Sequence, residues 1–297
     1  MHLAPRRRGS EDRTYWWFLL PAMVTLGALS MLPVLMTFLL SLTSWNLMVP
    51  TSGGFIGLEN YGRMVSDRYF GNAVLMTLIL IFGPVGFQML LGLALALLLH
   101  TELPFLSLSR AAFITPMVIP PVIAGLIWKV LFIPNLGGVK YFLGLAGIPG
   151  PNWLETPFWA LVAVGLVAVW EDTPFVMLLL LAALESLPPE PFEAAIVDGA
   201  SAWQRIRFVT IPLIMPAILV AVLFRIIASL NIFPVIYVMT KGGPGRATEV
   251  LNYYAYTHGF QFLDIGYASA LAMGLFVLIV ALSGLFMILR VRLAGAE

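Results

Sequence analysis

The sequence predicts an all-α polytopic membrane protein with six transmembrane helices and both termini in the cytoplasm. Three observations carry that prediction. The 297 residues are 60% hydrophobic and only 10% charged, with a mean hydropathy of +0.95; soluble domains run at about 45–50% apolar and about 25% charged. The apolar residues gather into six runs, each long enough to cross roughly 30 Å of hydrocarbon at about 1.5 Å per residue. Basic residues alternate in density between the connections. Arg6, Arg7, Arg8, Arg13, Arg110, Arg205, Arg207, Arg290 and Arg292 fall on one side, and Arg63, Arg68, Lys140, Lys241 and Arg246 on the other. Nine against five puts the termini inside by the positive-inside rule.

The elements follow in order. A basic tail, 1–14, leads into the first run, 15–42. Its polarity is that of a signal peptide, but it exceeds the 7–15 residues of an h-region and no small-residue cleavage site follows. It is read as a retained span with Tyr15, Trp16 and Trp17 at the interface. Residues 43–71 form a hydrophilic connection. The second span, 72–99, is expected to break at Gly83, Pro84 and Gly86, and holds Gln88. A cytoplasmic turn, 100–110, precedes the third span, 111–132, which carries Pro116, Pro120 and Pro121; Lys129 near its outer end is expected to snorkel. A Gly- and Pro-rich external loop, 133–157, leads to the fourth span, 158–183. A cytoplasmic loop, 184–211, joins it to the fifth, 212–239. An external segment, 240–265, the sixth span, 266–289, and a short tail, 290–297, complete the chain. Proline and glycine inside spans are tolerated where neighbours or a water-filled cavity satisfy the freed backbone groups.

Composition also excludes. No cysteine occurs, which removes disulfides, thiolate metal sites and cysteine nucleophiles. The three histidines, His2, His100 and His258, are far apart, and no HExxH, Walker A or GxSxG pattern is present. A net charge of +1 gives no field that suggests nucleic acid. Any nucleotide chemistry must come from another chain.

Polar groups inside the spans are where function is expected. The fourth span contains Trp170-Glu171-Asp172-Thr173-Pro174, and each mid-span carboxylate costs about 2.5–3.5 kcal/mol on insertion scales. Adjacent helical residues point about 100° apart, so Glu171 and Asp172 are not expected to face one spot. Pro174 frees the Trp170 carbonyl and Pro234 that of Leu230. The fifth span carries Arg225, Ser229 and Asn231, with Ser229 one turn beyond Arg225. Arg225 is expected to pair with one carboxylate. Ser229, Asn231, Thr173 and the second carboxylate then line a polar cavity; a buried ion pair that merely locks the bundle is the competing reading.

The loop at 190–216 is too structured for a linker. Pro191 suits a first helical turn. Phe192, Ala195, Ile196 and Gly199 share one face. Gly199 suits a left-handed helix end, and Ser201 with Gln204 reads as a capping box for a second short helix, which Arg205 and Arg207 are expected to close. Glu193-Ala194-Ala195, three residues, Gly199, nine residues, then Val209-x-Ile211-Pro212 resembles the EAA loop of binding-protein-dependent ABC import permeases. Asp198, Ala200 and Pro216 match as well; Val209 and Ile211 stand where that family usually has Ile and Leu. Phe55–Tyr61, the Trp170…Pro174 frame, and Gly242-Gly243-Pro244 with Thr248, Tyr253 and Tyr256 resemble segments of carbohydrate permeases such as those for maltose, trehalose and glycerol phosphate. The resemblance implies a type I ABC importer permease-like bundle that moves a carbohydrate by alternating access. It implies a coupling surface at Glu193, Ala194, Ala195, Asp198, Gly199 and Ala200. It implies a second homologous permease, two ATPase subunits that bind ATP and Mg in place of any cofactor in this chain, an extracytoplasmic binding protein docking near Lys140 and Lys241, and surrounding lipid. Tyr253, Tyr254, Tyr256 and Trp153 read equally as sugar-stacking rings or as an interfacial belt. Two readings from other classes stay open: a proton-coupled secondary transporter using Glu171 or Asp172, and a membrane hydrolase using both, which their divergence on a helix disfavours.

Overall fold

The computed structural model describes residues 8–100, 106–134 and 136–294, without the side chains of 8–17, 106–111 and 289–294. The tail arginines, Tyr15, Trp16, Trp17, Arg110, Arg290, Arg292 and part of the expected turn at 100–110 fall outside what is described. Among the described residues the chain is nearly all helix, with two isolated β-bridges, Thr43 to Phe55 and Asn46 to Asp264.

Five helices are long and apolar enough to cross a membrane: Phe18–Ser41, Arg68–Leu99, Pro157–Glu185, Ala202–Met239 and Ile265–Ile288. The third expected span is instead two helices, Ala112–Val118 and Pro121–Leu131, bent by 109°; counted as one, they make six. The break lies where Pro120 and Pro121 remove two consecutive N–H donors and push the residues before them out of the helical region. The second span, by contrast, is unbroken from Arg68 to Leu99. Pro84 is buried there, its ring lying opposite Gly165 of the fourth span, so packing holds the helix through the proline.

The fifth span begins earlier than expected. The second short helix does not close at Arg205 and Arg207. It passes through a π-turn, Ile206–Thr210, straight into Ile211–Ala228, then a 3₁₀ turn, Ser229–Ile232, and a last helix, Phe233–Met239. The π-turn carries the Ile211 N–H to the Ile206 carbonyl. The Thr210 hydroxyl donates to the Arg205 carbonyl at 3.3 Å, and Pro212 is absorbed in the first turn of the next segment.

The chain divides into two compact units, residues 1–66 with 255–274, and residues 67–254 with 275–297. In the first, the helix Glu59–Ser66 caps the end of the first span. Asn60, 6% exposed, donates to the Ser41 and Thr43 carbonyls at 2.8 and 2.9 Å, and Tyr61 shares a 2.6 Å hydrogen bond with Ser41. A helix end leaves such carbonyls without intrahelical partners. Arg63 pairs with Asp264 at 2.9 Å and lies 3.9 Å above the Tyr267 ring.

In the second unit the second and fourth spans lie together. Their core is Ala96, Leu99, Val176, Met177, Leu180, Leu181 and Leu184, joined by Ile214 of the fifth. At the opposite end of the second span a polar brace forms. Asp67 caps that span through the Tyr69 N–H at 2.9 Å and accepts a short hydrogen bond from the Tyr254 hydroxyl. Arg246 lies 3.7 Å above the Tyr69 ring and pairs with Glu249 at 3.1 Å. Burial raises the Glu249 carboxyl against the pull of Arg246, and burial with Asp67 beside it raises the Tyr254 phenol. Tyr253 and Trp153 are also buried. The Lys129 ammonium, expected to snorkel, instead donates to the Val238 carbonyl at 2.9 Å, the favourable place for a cation at a helix C-terminus.

Candidate functional site

The bundle of the second unit encloses a cavity of about 230 Å³ bordered by the second, third, fourth and fifth spans. Its walls are largely apolar, from Leu80, Met117, Ile119, Ile232 and Val235, and its polar groups are Gln88, Glu171, Asp172, Ser229 and Asn231. A larger groove of about 360 Å³, beside Phe87 and Leu166, is lined by apolar side chains alone.

One chain of polar contacts runs behind the cavity. The Gln88 amide donates to the Ala168 carbonyl at 3.0 Å, and its oxygen accepts from Arg225 Nε at 3.0 Å. Arg225 Nη2 pairs with the Asp172 carboxylate. Three spans are thereby tied at one depth. A guanidinium 5% exposed requires this arrangement, because a buried charge without a partner is strongly destabilising. Of the two carboxylates proposed for the pairing, Asp172 takes it. Both carboxylates nonetheless line the cavity, contrary to the expectation from their 100° separation: the space is wide enough to meet two directions of one helix. Glu171 is 9% exposed and makes no hydrogen bond or ion pair among the described residues.

The fifth span supplies the facing side. The Ser229 hydroxyl donates to the Arg225 carbonyl at 2.6 Å, and Asn231 sits in the 3₁₀ turn that follows. The Leu230 carbonyl, left without a donor by Pro234, accepts from the Asn252 amide at 2.8 Å. Thr173 lies elsewhere: it is buried, its hydroxyl donates to the Val169 carbonyl at 2.6 Å, and it does not border the cavity. Arg225 stands behind the lining. Gln88 was visible inside the second span in the sequence, but without a role. A lone amide in an apolar run was the available signal, since a buried carboxamide must find partners.

At the far end of the fifth span the loop forms an elbow. Its first arm is the helix Glu190–Val197. Gly199 adopts φ +74°, the left-handed geometry of a helix stop. The Gly199 and Ala200 N–H groups return to the Ile196 and Ala195 carbonyls at 3.0 and 2.9 Å. Ser201 and Gln204 then form the capping box at 2.7 and 3.4 Å. Glu193, Ala194 and Asp198 are exposed and Ala195 and Ala200 half-buried. Ile196, Val197 and Trp203 are exposed apolar side chains on the same elbow.

A polar cavity enclosed by apolar spans, with an exposed elbow continuous with one of them, defines a membrane transport subunit. The chain belongs to the family of binding-protein-dependent transport system inner membrane components, whose match covers residues 88–294; it is a multi-pass protein of the inner membrane. It is 34% identical over 280 residues to the trehalose/maltose transport system permease protein MalF of Thermococcus litoralis, with 94% of each chain covered. It is 36% identical over 273 residues to the sulfoquinovosyl glycerol transport system permease protein SmoG of Agrobacterium fabrum, covering 91% of this chain and 87% of that one. Its fold is that of a chain in the crystal structure of a bacterial ABC transporter involved in the import of the acidic polysaccharide alginate, with a TM-score of 0.80 at 23% identity, covering 95% and 96% of the two chains.

Proposed function

We propose that this chain is the permease subunit of an ATP-driven importer that carries a carbohydrate, a di- or oligosaccharide or a polyol, across the inner membrane by alternating access. The observation that carries this reading is the cavity: Glu171, Asp172, Ser229 and Asn231 converge on one space inside otherwise apolar spans. A hydroxyl-rich cargo needs a few placed acceptors and donors in an apolar wall. The relatives' named cargoes, trehalose/maltose and sulfoquinovosyl glycerol, support the carbohydrate class.

In this reading both termini and the elbow are cytoplasmic. The elbow docks in a partner ATPase through Glu193, Ala194, Ala195, Asp198, Gly199 and Ala200. Two ATPase subunits bind ATP and Mg, a second homologous permease completes the pathway, and an extracytoplasmic binding protein delivers the cargo. Closure of the ATPase pair moves the elbow, and the continuous helix Ala202–Met239 passes that movement to the cavity.

Uptake by the assembled importer, with trehalose and maltose as probes, tests the site. Glu171→Gln, Asp172→Asn and Ser229→Ala variants that insert normally are expected to lose roughly tenfold or more, since each removes a hydrogen-bonding or charged partner. Wild-type uptake in all three removes the site. Gly199→Asp, which places a side chain in left-handed backbone, is expected to impair uptake and sugar-stimulated ATP hydrolysis together. Uptake that survives ATP depletion but collapses with the proton gradient would transfer the mechanism to Glu171, the carboxylate that no cation holds.

A further inference from the structure

We propose that Gln88 and Asp172 withhold Arg225 from the cavity, leaving Glu171 as the charged group offered to the cargo, so that the path passes uncharged or cationic polyols and rejects anionic ones. The inference rests on the reading of this cavity as the cargo path; it adds the charge class of the cargo and a role for Gln88.

Arg225 is engaged at Nε by the Gln88 oxygen at 3.0 Å and at Nη2 by the Asp172 carboxylate, and it does not border the cavity. The nearest lysine of the third span, Lys129, is spent on the Val238 carbonyl. No described lining residue is therefore a cation. Two carboxyl groups stand against one guanidinium, and the surplus one, Glu171, is nine-tenths buried, borders the cavity and has no partner among the described residues. A sugar hydroxyl can donate to it. A carboxylate, sulfonate or phosphate on the cargo meets a like charge with no cation in the lining beside it. At about 5 Å and an effective dielectric of about 20, that repulsion amounts to on the order of a hundredfold in binding. Gln88 is a positioning residue: it anchors the guanidinium without adding charge, and without it Arg225 is free to turn toward Glu171 and cancel it.

The test is equilibrium binding to the complete permease–ATPase complex in lipid nanodiscs, without the binding protein, by saturation-transfer NMR. The probes are trehalose, its 6-amino-6-deoxy analogue and its uronic acid analogue. Wild type is expected to bind the first two at least about tenfold more tightly than the uronate. Glu171→Gln is expected to shrink that ratio about tenfold, and Glu171→Asp to keep it. Gln88→Leu is expected to shrink it with Glu171 in place, whereas Gln88→Glu, which adds an acid beside Arg225, widens it; a merely structural glutamine would not move the ratio in opposite directions. Equal binding of trehalose and uronate in wild type, or a ratio unchanged in Glu171→Gln or in both Gln88 variants, overturns the inference while leaving the carbohydrate reading standing. Binding of none of the three overturns the carbohydrate reading and this inference with it.

Discussion

Asn60 satisfies two carbonyls at once, those of Ser41 and Thr43, at the end of the first span. Its neutral carboxamide NH2 donates twice without bringing a charge into the buried site. Asn60→Ala is expected to cost about 1–3 kcal/mol, the penalty for buried groups left without partners. Asn60→Asp should cost more, because a carboxylate brings only acceptors to two carbonyl oxygens. Thermal unfolding of the purified protein in nanodiscs checks the order; equal midpoints for all three proteins would refute the cap. The segment 55–61 stood out in the sequence by resemblance, yet its role was invisible there, since Asn60 acts on residues 17 and 19 positions away. The Arg225 pairing was legible as a necessity, because a cation in an apolar run must find an anion. The choice of Asp172 over Glu171, and the help of Gln88, depend on how three helices meet.

The second and fourth spans pack tightly at Gly92. A Cβ built there would stand 2.6 Å from Val176 Cγ1 and 3.1 Å from the Met177 backbone nitrogen, so only glycine lets the helices approach this far. Gly92→Ala is expected to destabilise the bundle by roughly 1–3 kcal/mol through overpacking. Val176→Ala should return part of that loss in the double variant, and a strictly additive pair in a double-mutant cycle would show that the two do not press on each other. Features of this scale were legible when their causes were local. The Gly199 stop and the Ser201–Gln204 box need only neighbours in sequence, and both stand where expected. The fate of each proline was less legible. Pro120–Pro121 breaks the chain by 109° while Pro84 and Pro212 leave their helices running; what surrounds a proline decides, and that is tertiary. Tyr253, Tyr254 and Trp153 read equally as sugar-stacking rings or as an interfacial belt in the sequence; all three are buried.

Across the second unit, one helix spans the whole functional distance. Ala202–Met239 has 38 residues and at about 1.5 Å each reaches on the order of 57 Å. Trp203 of the elbow lies near one end, and Ser229 and Asn231 lie toward the other, so in the proposed mechanism a push on the elbow would reach the cavity through a single strut. That strut holds a spare residue. The π-turn Ile206–Thr210 stores one amino acid more than its turn needs, as a bulge that leaves the segments on either side in phase. Deleting Phe208, whose side chain is 68% exposed, should let the turn relax to ordinary pitch with the elbow still aimed as before. Deleting Leu213 instead has no slack to draw on and should swing the elbow by about 100°. Spin labels at Val197 and Glu185 would record a nearly unchanged separation in the first case and a displaced or broadened one in the second. The aim of the lever, on this view, tolerates a missing residue at one address and nowhere along the straight pitch beyond it.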